Sequence, residues 1–391
     1  MDCHYYQDSV CRSCTLLESP YQRQLEGKVQ AAAAAVPGAQ WLAPVRSPEA
    51  GFRTNAKMVA GGSVASPTLG ILDPRGHGVD LQQCPLYPDA LASAFAPLAE
   101  FVTLARLEPY NVPERRGELK SVMVTVSPDQ ELMVRFVMRS TEALARIHKH
   151  LPSLQAELPS MTVASVNVLP EHKAATEGER EIPLTEHEHL VMRVNGIPLA
   201  LRPQSFFQTN TDVAAALYRQ VAQWVGDVRP SSVWDLYCGV GGFALHCTDP
   251  ERDVLGVEVS AEAVASASAT AQWLAGEGTW GAGRTRFVQA DAVEFALASP
   301  TAPEVVVVNP PRRGIGPQLA AWLETSTVGH VIYSSCNPVT LERDLRAMPS
   351  LRPVQARVLD MFPHTEHCEV AVLLSRASVG SSPKTPRRPQ S

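Results

Sequence analysis

Positive charge is in short supply in this chain. It carries 34 Lys and Arg against 40 Asp and Glu, a formal net charge of -6. That balance argues against a surface basic all round, because phosphate contacts require Lys and Arg. It leaves room for local clusters such as Arg115-Arg116, Arg312-Arg313 and Arg387-Arg388 on one face. Long hydrophobic runs are also missing. No stretch approaches the roughly 20 apolar residues of a membrane helix. The opening residues Met1 to Tyr6 hold no apolar segment, so no secretory signal is visible. No internal repeat is present. What remains is a chain of 391 residues, 45% hydrophobic, which predicts a soluble cytoplasmic protein of two or three domains.

Eight cysteines are present: Cys3, Cys11, Cys14, Cys84, Cys238, Cys247, Cys336 and Cys368. In a reducing compartment such thiols serve metals or catalysis rather than disulfides. The alanine run at 31–36 reads as helix. From about 40 to 195, mixed strands and helices follow, for example strands at Ser121–Val126 and Leu132–Met138 and a helix at Thr141–His150. From about 200 the pattern becomes strand, helix, strand. Ser232–Tyr237, Asp253–Val259, Glu304–Val308, His330–Ser335 and Glu369–Leu374 read as strands, and Ser260 as the N-cap of a helix to Leu274. Strands alternating with helices imply a mostly parallel sheet covered on both faces. The expected division is a metal segment at 1–40 plus 80–90, a central α+β domain at 41–199, an α/β domain at 200–376, and a disordered tail at 377–391.

The run Asp235-Leu-Tyr-Cys-Gly-Val-Gly-Gly-Phe243 ends a strand in a glycine turn. Such a turn lets backbone approach a ligand at a helix N-terminus. Glu258, some 20 residues on, ends the next strand and suits ribose hydroxyls. Asp291 and Asn309-Pro310-Pro311 end two more strands. Four polar strand ends on one sheet edge describe a single ligand crevice. The turn lacks the Gly-x-Gly-x-x-Gly form, which argues against NAD.

Several strings together resemble the RNA (uracil-C5-)-methyltransferases. They are Ser205-Phe-Phe-Gln-Thr-Asn210, Asp235-Leu-Tyr-Cys-Gly-Val-Gly241, Asn309-Pro-Pro-Arg-Arg-Gly314, Ser335-Cys-Asn-Pro-Val-Thr340 with Arg343-Asp344, and Met361-Phe-Pro-His-Thr-Glu-His-Cys-Glu369. The nearest resemblance is to the branch that methylates a hairpin-loop uridine of 23S rRNA, expected to be U747, and that lacks the N-terminal β-barrel (TRAM) domain. The resemblance implies a class I, Rossmann-like methyltransferase sheet, S-adenosylmethionine as methyl donor, ribosomal RNA as partner and a monomer. It assigns Gln208, Tyr237, Glu258 and Asn309 to the cofactor, where many relatives have Asp in place of Asn309. Asp291 is a further candidate for the adenine amine.

Uracil C5 is a poor nucleophile, and a thiolate added at C6 makes it reactive. A base must then take the C5 proton so that the thiol can leave. Cys336, at a strand end before Asn337-Pro338, resembles the family nucleophile, and Glu369 the family base. His364 and His367 are rival bases. Amine methyltransferases place an aromatic after Asn-Pro-Pro, where Arg312 stands here, and RNA cytosine-C5 enzymes use a Pro-Cys string that is absent. Cys3-x7-Cys11-x2-Cys14 with Cys84 offers four thiolates. Read alone, this terminus favours zinc. The resemblance implies a [4Fe–4S] cluster. Competing readings are methylation of another rRNA or tRNA uridine, or a non-catalytic iron–sulfur RNA-binding protein.

Overall fold

The computed structural model describes residues 1–377 except 174, 279 and 280. The expected tail at 377–391 lies outside the described residues apart from Ala377. Seven strands form the C-terminal sheet: β1 Ser232–Leu236, β2 Asp253–Glu258, β3 Thr285–Gln289, β4 Val305–Val308, β5 His330–Ser335, β6 Leu351–Leu359 and β7 Glu369–Arg376. Their spatial order is β6-β7-β5-β4-β1-β2-β3, and Gln40–Trp41 adds an eighth strand parallel to β6. Neighbours among β1 to β5 pair in parallel, while β7 runs antiparallel to both β5 and β6. β4 shows why. Its four valines are all fully buried, as β-branched residues are in a strand covered on both faces.

The helices begin where short polar side chains can cap them. The Asn210 side chain accepts from the Val213 amide at the start of Thr211–Val228, and Ser260 from Ala263 before Ala261–Gly276. Asn337 accepts from Val339 ahead of Pro338–Arg346, with Pro338 at the first helical position.

The expected boundaries shift at two places. The hairpin Leu190–Val194 and Ile197–Leu201 buries its alternate residues in the C-terminal core with Leu217, Val221 and Leu274. The hairpin packs with the α/β unit although it begins before residue 200. The helix Tyr21–Ala35 also leaves its neighbours in sequence: it packs on helix Pro338–Arg346 and on β6, with Ala32, Ala35 and Val36 in that core.

The central unit is a second, mixed sheet ordered Gly78–Asp80, Ser66–Leu72, Asn55–Ser63, Leu119–Val126, Leu132–Met138, Met161–Val168, Arg180–Pro183. Only Leu132–Met138 and Met161–Val168 pair in parallel. Ala56, Met58 and Ala60 point to one face and pack with Val122 and Phe136 against helices Phe95–Leu104 and Leu144–Glu157. That second helix runs past the expected His150 and through Pro152, because Leu151 and Leu154 are buried beyond it. Period-2 alternation sends Lys57 and Val59 to the opposite face.

Candidate active site

Strand register brings the expected cofactor residues to one edge. Leu236 pairs with both Val257 and Val308, so Tyr237, Glu258 and Asn309 stand side by side at the C-terminal ends of β1, β2 and β4. Open parallel sheets bind ligands at that edge. Tyr237 leaves β1 with φ +67°, and Gly239 follows at φ +54°. Nothing would meet a Cβ at Gly239 within 4 Å, so the turn is open on that side to an approaching ligand. The Glu258 carboxylate accepts from the Gly239 amide at 3.1 Å and from Ser260 at 3.0 Å. One carboxylate thus ties the glycine turn to the next strand, and its remaining lone pairs stay available. Asp235 is fully buried and accepts from the Ala244 amide at 2.9 Å. Burial drives its carboxyl up to about 8, the Ala244 bond opposes this, and Glu258 adds to it. Among the described residues its Oδ1 has no partner, an orphaned polar atom at the base of the crevice. Asp291 caps helix Ala292–Ala298 by accepting from Val293 and Glu294, so its carboxylate already has a structural role.

Gln208 sits in the loop that enters helix Thr211–Val228. The loop is anchored where the Thr54 amide donates to the Thr209 carbonyl at 2.8 Å. Gln208 is buried, and its neighbours Ser205 and Thr209 each bury a hydroxyl oxygen without a partner. Unspent polar atoms flanking a buried amide fit the polar end of a bound ligand. Phe206, two residues before Gln208, is 70% exposed. Sequence reasoning missed it. The signal was an aromatic inside a polar loop string.

Antiparallel pairing builds the reacting pair. Ser335 pairs with Val370 and Ser334 with Ala371, so the next step in register sets Cys336 beside Glu369. Glu369 is buried, 2% exposed, and accepts from the Ser334 hydroxyl. Burial raises its carboxyl to about 7, with the Ser334 bond pulling the other way. Cys336 is half-buried. Burial raises its thiol, the Glu369 charge raises it further, and the Arg312 guanidinium lowers it. Arg312, expected only as part of a basic cluster and as the residue in place of an aromatic, also acts on Cys336. Its carbonyl accepts from Asn337 Nδ2 at 3.1 Å and Thr340 Oγ1 at 3.2 Å, which fastens the Asn-Pro-Pro-Arg loop to the helix after Cys336. The rival His364 is enclosed, with Nε2 within 2.8 Å of the Glu49 carbonyl and its ring beside Gln24, while His367 is exposed.

Cys3, Cys11, Cys14 and Cys84 all line one cavity of about 190 Å³, together with Arg53 and Tyr87. Burial and then the other three cysteines push the Cys14 thiol up to about 12. Among the described residues, no group of three or more His, Cys, Asp or Glu stands in a metal-holding arrangement. The four thiols share a cavity without being drawn to a common point.

A family model described as tRNA (uracil-5-)-methyltransferase matches residues 285–377. The chain is 48% identical over 383 residues to the 23S rRNA (uracil(747)-C(5))-methyltransferase RlmC of Halothiobacillus neapolitanus, covering 96% of this chain and 100% of that protein. It is 47% identical to the protein of the same name from Edwardsiella ictaluri, covering 97% and 100%. Among solved structures, it is similar to the Pyrococcus abyssi tRNA (uracil-54, C5)-methyltransferase in complex with S-adenosyl-L-homocysteine. That match has a TM-score of 0.76 at 25% identity, covering 92% of this chain and 85% of that one.

Proposed function

From the premise that this chain belongs to the RNA (uracil-C5-)-methyltransferase family, we propose that it moves a methyl group from S-adenosylmethionine to C5 of a uridine in 23S rRNA, the one its relatives are named for. The observation that carries the reading is register: Cys336 lies beside Glu369 on the edge that also holds Tyr237, Glu258 and Asn309.

Glu258, Asn309, Tyr237 and Gln208 hold the cofactor, which supplies an electrophilic methyl group. The target uridine must leave its stack, because neither thiolate nor methyl donor reaches C6 and C5 inside one. Exposed Phe206, in the loop that carries Gln208, offers a surface for stacking on an RNA base. The Cys336 thiolate adds to C6, and the C5–C6 π electrons move to the C4 oxygen as an enolate. C5 then takes the methyl group, and S-adenosylhomocysteine departs. Glu369 accepts the C5 proton, the C5–C6 double bond re-forms, and the thiolate leaves. A carboxyl raised to about 7 is matched to this task near neutral pH.

We propose in addition that Cys3, Cys11, Cys14 and Cys84, which line one cavity, would hold a [4Fe–4S] cluster that folds residues 1–14 onto the central sheet. The same reading takes the protein as a cytoplasmic monomer acting on a hairpin loop. No helix among the described residues is long and apolar enough to cross a membrane.

The test uses RNA carrying the target uridine, with 5-fluorouridine in parallel. Cys336→Ala abolishes methylation and covalent adduct while retaining RNA and cofactor binding. Glu369→Gln transfers the methyl and stalls as a covalent protein–RNA adduct on gels. An adduct formed by Cys336→Ala would falsify the assignment of the nucleophile.

A further inference from the structure

The chain has six lysines: Lys28, Lys57, Lys120, Lys149, Lys173 and Lys384. Three of them, Lys57, Lys120 and Lys173, line one cavity of about 440 Å³ on the central sheet. In a chain of net charge -6 this is a concentration of cations that composition does not anticipate. The cavity lies on the face turned away from the helices, where alternation places Lys57 and Val59. Val59 and Val137 give it an apolar floor.

The cations are poorly spent inside the protein. Among the described residues, neither Lys57 nor Lys120 has an ion-pair partner. Glu177, the acid facing Lys57, is already engaged by Arg135 at 2.7 Å. Lys120 donates to the Glu171 carbonyl at 2.6 Å and lies 4.9 Å from the centroid of the Tyr110 ring. Burial lowers both ammonium groups, so each sits where an anion would relieve a cost of desolvation. Lys173 at the rim makes only a loose exposed pair with Glu171, 3.5 Å. Tyr110 hydroxyl and His172 Nδ1 meet at 3.0 Å, adding a polar edge able to bond a base. Apolar floor, aromatic wall and cationic rim in that volume match a nucleotide with its phosphate.

One strand connects this cavity to the reacting centre. Asn55–Ser63 carries Lys57, and its preceding residue Thr54 bonds the Thr209 carbonyl next to Gln208. We infer that the Lys57–Lys120–Tyr110 cavity is a second nucleotide subsite, which holds an unpaired loop nucleotide of the substrate RNA while the target uridine occupies the Cys336 site. This rests on the reading of the chain as an RNA methyltransferase.

The test uses full-length protein and a hairpin RNA with the target uridine in its loop. Binding is measured by anisotropy across a salt series, and methylation at saturating RNA. Lys120→Ala with Lys173→Ala should weaken binding by about tenfold and lower the salt slope by about 1.4, at roughly 0.7 per single-strand phosphate contact. Methylation at saturating RNA and S-adenosylmethionine binding should stay near wild type. The doubly substituted Lys→Arg protein should keep the affinity. Lys149→Ala, on the exposed side of helix Leu144–Glu157, should change nothing. Unchanged affinity or an unchanged salt slope in the double alanine variant overturns the subsite. A wild-type protein that neither binds nor methylates this RNA overturns the functional reading instead.

Discussion

Glu369 acts through its surroundings more than through its charge. Buried and bonded to the Ser334 hydroxyl, its carboxyl titrates near 7 rather than near the ordinary 4.5. Between those values the folded protein keeps a proton that the unfolded chain has released. Its contribution to stability therefore declines as pH rises across that window, while the fraction able to act as base grows. Resolution of the covalent adduct should rise with pH and level off above about 7. Ser334→Ala removes the bond that lowers the carboxyl. The rise should then move to higher pH while adduct formation at fixed pH changes little. An unmoved profile in rapid-quench assays would show that the hydroxyl does not tune the base. Arg312 is the corresponding influence on Cys336, acting against burial and Glu369. Arg312→Gln should slow adduct formation with 5-fluorouridine RNA and shift its pH dependence upward, with cofactor affinity retained. Equal trapping rates across the pH range would sink that role.

At the scale of elements, the crevice depends on loops pinned to helices. Asp344, nearly fully buried, accepts from the Tyr333 hydroxyl at 2.8 Å, from the Ile315 amide at 2.9 Å and from Arg343 at 2.7 Å. Arg343 also donates to the Arg313 carbonyl at 2.7 Å. Arg343-Asp344 thus fastens the loop after Asn309 to helix Pro338–Arg346. Gly314 fits only without a side chain: its φ is +80°, and a Cβ there would lie 2.2 Å from an Asp344 oxygen. Gly314→Ala should cost about 1–3 kcal/mol and lower activity more than it lowers Tm. Calorimetry beside turnover measures both. Helix Tyr21–Ala35 is held similarly, by Lys28 Nζ donating to Asp360 at 2.6 Å, both almost fully buried. Lys28→Met strands that carboxylate and should cost about 3–5 kcal/mol in denaturant unfolding.

Across the whole molecule, the cysteine segment is the part with least packing of its own. Its short helix His4–Gln7 buries no residue. Its ties include the Met1 amino group to Glu49 at 3.2 Å, the Gln83 amide to the Tyr5 hydroxyl at 3.2 Å and the Leu16 amide to the His364 carbonyl at 2.9 Å, with Tyr5 and Cys11 packed against the central core. The two sheets, by contrast, are covered by three extensive apolar clusters among the described residues. On the proposed reading that Cys3, Cys11, Cys14 and Cys84 hold a cluster, chelating iron should expose residues 1–14 to protease while the main unfolding transition persists. Cleavage first within the sheets would contradict this division.

Some of this was determined by the sequence alone. Strand ends, caps and the strings at Asp235, Asn309 and Cys336 are local signals, written in turn chemistry and short-range periodicity, and they were legible without a structure. So were the β5 span and Ser260 as a cap, whereas strand β6, Leu351–Leu359, was not. Other features depended on contacts far apart in sequence. Periodicity shows that a segment has an apolar face but not which core receives it, so helix Tyr21–Ala35 and hairpin Leu190–Leu201 joined the C-terminal unit without local warning. Ser334 and Arg312 are ordinary residues until register and loop anchoring set them against Glu369 and Cys336. The three lysines are separated by more than fifty residues along the chain; the pairing of strand Asn55–Ser63 with Leu119–Val126 brings Lys57 and Lys120 together, and the loop after Met161–Val168 adds Lys173 to the same cavity. Charge counts sum over the chain, whereas a binding site depends on where folding places those charges.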